Sequence, residues 1–190
     1  MKDSKPTRIK TDQSSYALGI TPLTIPKQSE NELSVNVETL VNNQPIYIKK
    51  LYRQVSDVNS CNAMIIHHYI VAEEAEINIQ ESTKGDKIKK LCLLSRYFDH
   101  RKSFSEMTKT DILGYLNNLR KPLAVDPTHR SIGTYNGRQM VFMKFFRWLY
   151  NSDEPDHRKR ITPPCMMGVK GLPRREKSPY KPEVLVGKSQ

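Results

Sequence analysis

No window of this 190-residue chain approaches 18 consecutive apolar residues, and only 37% of its residues are hydrophobic. A membrane span needs about 18–20 such residues in a row, so a helix crossing a bilayer is not expected. Nor does an apolar segment follow the first residues, Met1-Lys2-Asp3-Ser4-Lys5, as a secretory signal would require. A cytosolic location is the expectation. Cysteine is scarce as well: Cys61, Cys92 and Cys165 are far apart, with no C-x-x-C pair and no His at zinc-finger spacing. That pattern argues against both a disulfide frame and a structural zinc site, and predicts Cys61 and Cys92 to be small buried hydrophobes on helices. No cofactor and no small-molecule substrate is implied. His67 and His68 are neighbours whose side chains diverge by about 100° on a helix, which suits a polar edge better than a metal site.

Acidic residues are outnumbered, 20 to 31 Lys plus Arg, for a net charge of +11. A balance of this sign and size favours a polyanionic partner, nucleic acid before anionic lipid. The charge is unevenly spread. Met1–Ser56 carries a net +3, and Asp57–Gln80 has four acids without a Lys or Arg. Glu81–Arg130 then carries +5, Ser131–Ser152 carries +3, and Asp153–Gln190 carries +4.

Residues 1–56 are rich in Ser, Thr, Asn, Gln and Lys and are interrupted by Pro6, Pro22, Pro26 and Pro45. They read as a weakly structured extension, in which Ser34–Val37 and Ile46–Ile48 either pair as strands or dock on the core. Four helical patterns follow in residues 57–152. Val58, Cys61, Ile65, Tyr69, Ala72, Ala75 and Ile79 recur at threes and fours and mark one stripe over Val58–Ile79. A second helix is predicted to start at Thr83-Lys84-Gly85-Asp86, burying Ile88, Leu91, Leu94 and Phe98 while Lys84, Lys87 and Lys90 cover the outside. A third starts with the same signal at Thr108–Asp111, buries Ile112, Leu116 and Leu119, and stops before Pro122. The fourth runs from Ser131 or Thr134 to about Tyr150, with Tyr135, Phe142, Phe145, Phe146 and Leu149 inward. Asn136, Met140, Lys144, Arg147 and Asn151 fall on its opposite side. No strand is needed, so residues 57–152 are expected to be an all-α bundle. Six prolines after Ser152 exclude a long helix, and residues 153–190 read as an extended basic linker.

The order of these elements resembles a known family. Lys90–Phe98 (KLCLLSRYF) followed by Met107–Arg120 (MTKTDILGYLNNLR) is similar to the core-binding domain of tyrosine recombinases, the phage-integrase family. Thr134 opening the last helix, Arg138 four residues on and the aromatic pair Phe145-Phe146 match the family pattern. The stretches Pro163–Leu172 and Arg174–Glu183 resemble the interdomain linker of its archaeal integrase-like members. The resemblance covers roughly Val58–Glu183. It implies a four-helix SAM-like bundle that binds duplex DNA in integration or site-specific recombination, without the separate catalytic domain; a chain of this kind is not expected to cleave DNA.

On that reading Lys84, Lys87, Lys90, Arg130, Thr134, Asn136, Arg138, Lys144 and Arg147 are the candidate DNA-binding residues. Thr134 and the amides at its helix start are expected to hold a phosphate. Taken alone, Lys84, Lys87 and Lys90 also read as a solvated helix face. Arg138 lies at the angular centre of the apolar face and must leave it at the helix start. Glu73, Glu74 and Glu76, near a helix C-terminus, are expected to face a basic neighbouring recombinase subunit. His157, Arg160 and Tyr180 imitate the family's H-x-x-R…Tyr order, but the Pro-rich stretch gives no apolar frame to position a catalytic group. Two alternatives stand beside DNA binding: a helical interaction module that modulates an intact recombinase, and a generic basic RNA- or DNA-binding helical protein.

Overall fold

Tyr52, Tyr69, Phe104, Phe142, Phe145 and Phe146 form the centre of one aliphatic and aromatic core, to which every helix contributes. The computed structural model describes residues 39–122 and 124–173. The helices with full bounds are α1 (Ile46–Val58), α2 (Ser60–Ile77), α3 (Glu81–Tyr97), α4 (Lys109–Asn118) and α5 (Arg130–Tyr150), with 3-10 turns at Phe104–Glu106 and Pro164–Met166. Among the described residues there is no strand, and the fold is all-α. Ser34–Val37 and the chain from Arg174, with Tyr180, lie outside the described residues.

Ile46-Tyr47-Ile48 is not a strand. It opens α1, whose Ile48, Tyr52 and Val55 are buried at spacings of four and three. Pro45 immediately precedes the first turn, where its missing N–H removes no helical bond, and its carbonyl accepts from the amides of Ile48 and Lys49. The helix expected from Val58 begins only at Ser60, because the Asn59 side chain caps it by accepting from the amide of Asn62 at 3.0 Å. Within α2 the buried set is broader than one stripe: Ala63, Met64, Ile65, Ile66, Tyr69 and Ile70 are all covered. Cys61, expected inside, is exposed, whereas Cys92 and Cys165 are buried. Asn78, in the left-handed region at φ 48°, ends the helix with its N–H on the Glu74 carbonyl.

The start of α3 also moves, from Thr83 to Glu81. Gln44 donates to the Glu81 carbonyl at 3.1 Å and to its carboxylate, and Gly85 lies so close to Gln44 that a Cβ there would force the Gln44 side chain to shift. This long-range contact outweighs the local capping signal. Local chemistry does set α4: Thr108 accepts from the Asp111 amide, and the Asp111 carboxylate accepts from the Thr108 amide at 2.7 Å, a reciprocal capping box.

Beyond Ser152 the chain is not an extended linker through Pro173. Residues 153–173 form a strap that buries Arg160, Cys165, Met166 and Val169. Prolines exclude a long helix here without excluding packing. Several backbone polar groups that a helix would have satisfied are met by side chains of α5 and of Asn151, the residue that follows it. Asn151 donates to the Ile161 carbonyl at 3.0 Å and Gln139 to that of Val169 at 3.0 Å. Asn136 both donates to and accepts from Leu172, at 2.9 and 2.7 Å. As the strap advances from 161 to 172 its partners on α5 recede from 151 to 136, so the two run antiparallel.

Candidate nucleic-acid interface

Helix α5 divides the predicted contact residues between two sides. At about 100° per residue, Arg130, Thr134 and Arg138 span about 80° of the helix circumference, Asn136 and Arg147 fall on the other side, and Lys144 stands about four turns from Arg130 and about 40° away in projection. The structure does not bring the nine residues into one surface.

On the first side the loop before α5 sets the electrostatics. The Asp126 carboxylate accepts from the amides of Arg130 at 3.0 Å and Ser131 at 2.6 Å. The bond from Ser131 is the largest influence holding that carboxyl down to about 2. Two helix-start amides expected to hold a phosphate are therefore already occupied by an anion of the chain itself. Thr134 is exposed, and its hydroxyl donates to the Arg130 carbonyl at 3.3 Å.

Beside this cap lies an open cleft of about 520 Å³, with Asn118, Lys121, Val125, Arg130 and Thr134 in its wall. An adjoining groove of about 330 Å³ adds Arg120 and His129. Arg120, Lys121 and Arg130 are exposed and form no ion pair with a carboxylate among the described residues. Arg138 is half-buried with its guanidinium 5.4 Å from the centre of the Tyr115 ring. Burial lowers its pKa, and nearby Asp86 opposes that shift. Asp86 in turn accepts from Lys90 at 2.6 Å, so the charge of Lys90 is paired and that of Arg138 partly offset.

Lys84 and Lys87 do not cover the outside of α3. Both turn toward α2: Lys84 donates to Glu74 at 2.8 Å, and Lys87, with a side chain only 7% exposed, pairs with Glu73. Tyr69 donates to the other Glu73 oxygen at 2.9 Å, and burial pushes the Tyr69 hydroxyl well above its usual range. Glu76 takes a two-pronged contact from Arg160 of the strap. All three glutamates expected to face a neighbouring subunit are thus neutralised within the chain. A helix end that is acidic in sequence is close to balanced in space.

The second side of α5 is occupied by the strap. Asn136 is committed to Leu172, and Arg147 donates through Nε at 3.1 Å and Nη2 at 2.7 Å to the Thr162 hydroxyl. Lys144 remains exposed. Arg120 and Lys121 are the basic residues that sequence reasoning passed over; their place just before the Pro122 stop made them look like a helix end. The spacing of Asp126 from Ser131 was the visible signal for the cap.

Burial lowers the pKa of both His67 and His68, which favours their neutral forms. Among the described residues no cluster of His, Cys, Asp and Glu is placed to hold a metal ion. No helix among them is long and apolar enough to cross a membrane. No protein-family model, curated protein or solved structure matches the chain.

Proposed function

We propose that the chain binds duplex DNA through the first side of α5, in the manner of the SAM-like core-binding domain that its sequence resembles. One observation carries this reading: Lys121 and Arg130 line an open cleft beside the exposed Thr134, Arg120 lines the adjoining groove, and none of the three has a carboxylate partner among the described residues. Cations in that state gain most by displacing counterions from a phosphate backbone. Arg138 lengthens the rim, Lys90 is held by Asp86, and Asp126 directs phosphates toward the rim's edges instead of the helix end. Lys84, Lys87 and Asn136 are structural on this reading, and a role in integration or recombination follows from the resemblance. The chain's part is binding, with catalysis left to other components.

A second reading, a protein-interaction module acting on a recombinase, draws on Ile46 and Tyr47, which are 84% and 52% exposed at the start of α1. Duplex binding measured across a salt series separates the two. DNA binding predicts a steep linear fall of log affinity with log salt. A Lys121→Gln/Arg130→Gln variant should reduce the slope by about 2, at roughly 0.9 for each phosphate that is no longer neutralised. Absence of binding at low salt would transfer the case to the interaction module.

A further inference from the structure

Between α5, the end of α2 and the strap lies a cleft of about 310 Å³. Lys144 and Arg147 enter it from α5, and His157 and Arg158 from the strap. Its wall also contains Glu73 and Glu76, but both carboxylates are spent. Glu73 accepts from Tyr69 and Lys87, and Glu76 accepts from Arg160 through both oxygens. Asp156, nearby on the strap, accepts from the Arg158 amide and faces Lys159 at 4.0 Å.

Lys144, Arg147 and Arg158 form no ion pair among the described residues. The cleft therefore holds three uncompensated cations around a partly enclosed volume. Two of them are guanidiniums, whose planar donors suit tetrahedral oxyanions. Thr162 fixes Arg147 through Nε and Nη2, so its position is set before any ligand arrives. Arg160, only 7% exposed, anchors the strap that carries His157 and Arg158. Ile77 supplies an apolar side to the wall. The volume lies near the lower end of small-ligand sites, about 300 Å³, and leaves room for a phosphate together with part of the group that bears it.

We infer that this cleft is a binding site for a phosphate-class oxyanion, a phosphomonoester or phosphodiester, held by Lys144, Arg147 and Arg158. It shares no lining residue with the cleft proposed for the duplex and does not rest on that reading.

The test is titration of the ¹⁵N-labelled full chain with inorganic phosphate, exchanged for chloride at constant ionic strength. Saturable amide shifts at Ile77, His157 and Arg158 are expected. Lys144→Gln/Arg158→Gln should weaken the binding at least about tenfold, because two charge-assisted hydrogen bonds disappear. Lys121→Gln/Arg130→Gln should leave it unchanged. Both cleft substitutions are at exposed positions, and the same spectra report whether the fold is intact. Adding a short DNA duplex then distinguishes the sources: displacement of phosphate from the cleft assigns the site to a nucleic-acid backbone, and retention assigns it to a free or protein-borne phosphate. Shifts that fail to saturate, that spread evenly over every basic surface, or that survive the cleft substitutions would overturn the inference.

Discussion

Lys87 and Glu73, 14 residues apart on neighbouring helices, form an ion pair whose side chains are 7% and 10% exposed. Tyr69 closes the other side of the carboxylate, and the Lys87 ammonium also lies 5.6 Å from the Tyr69 ring centre. Removing one partner strands the other charge out of water. Glu73→Gln or Lys87→Met alone should destabilise the protein by about 3–5 kcal/mol, and the double variant by less than the two combined. Urea denaturation of the four members of this cycle measures the coupling. Additive losses would show that the pair does not act as a unit.

The Asp126 cap predicts a dependence on acid. Its carboxyl is held at about 2 in the folded chain against an ordinary 3.8, so the unfolded state takes up the proton first as pH falls. The stabilisation is present above pH 3.8 and is lost between about pH 4 and 2. Asp126→Asn should flatten that part of the stability profile relative to the parent. The same substitution removes a negative charge beside Arg130, so affinity for duplex DNA at neutral pH should rise; a fall would place the duplex elsewhere.

Gly85→Ala tests the contact that resets the start of α3. Alanine is favoured over glycine in a helix by about 1 kcal/mol. Here its Cβ would run into Gln44 and stand 3.1 Å from the Ile48 Cδ1, so a net loss of stability, about 1–3 kcal/mol, is expected by thermal or chemical unfolding. In a Gln44→Ala background the loss should shrink, since the main obstacle is then gone.

Asn136→Ala should loosen the strap without unfolding the bundle. Both bonds to Leu172 disappear, at a cost of about 1–2 kcal/mol. Limited proteolysis should cut residues 163–173 sooner in the variant, with helices α1 to α4 protected as before. Unchanged cleavage would mean that Gln139 and the buried Met166 and Val169 hold the strap by themselves.

Sequence was most informative where the determinants are local. The capping box of Thr108 and Asp111 and the aromatic spacing of Phe142, Phe145 and Phe146 define α4 and α5, because neighbours within a turn or two settle them. Other features depend on partners far along the chain. Lys87 has the spacing of a solvated lysine, and only the approach of α2 brings Glu73 to it. Pro45 has the look of a breaker, yet at the threshold of α1 it is compatible with a helix. The strap gave no period to read, since its polar backbone is met by Asn136, Gln139 and Asn151, each of which also suits an exposed helix face. For the candidate site, Arg130 and Thr134 were legible, while Arg120, Lys121 and the Glu76–Arg160 contact required the chain to be folded.

The antiparallel course of the strap has a further consequence. Having left the bundle at the end of α5, the chain is carried back along the helix, and Leu172 and Pro173 border the groove formed by Arg120, Lys121 and His129. Pro173 therefore stands beside that basic rim and not at the distal end of the bundle. By returning the polypeptide to its own rim, the strap makes the wall of that groove depend on the Asn136–Leu172 bonds.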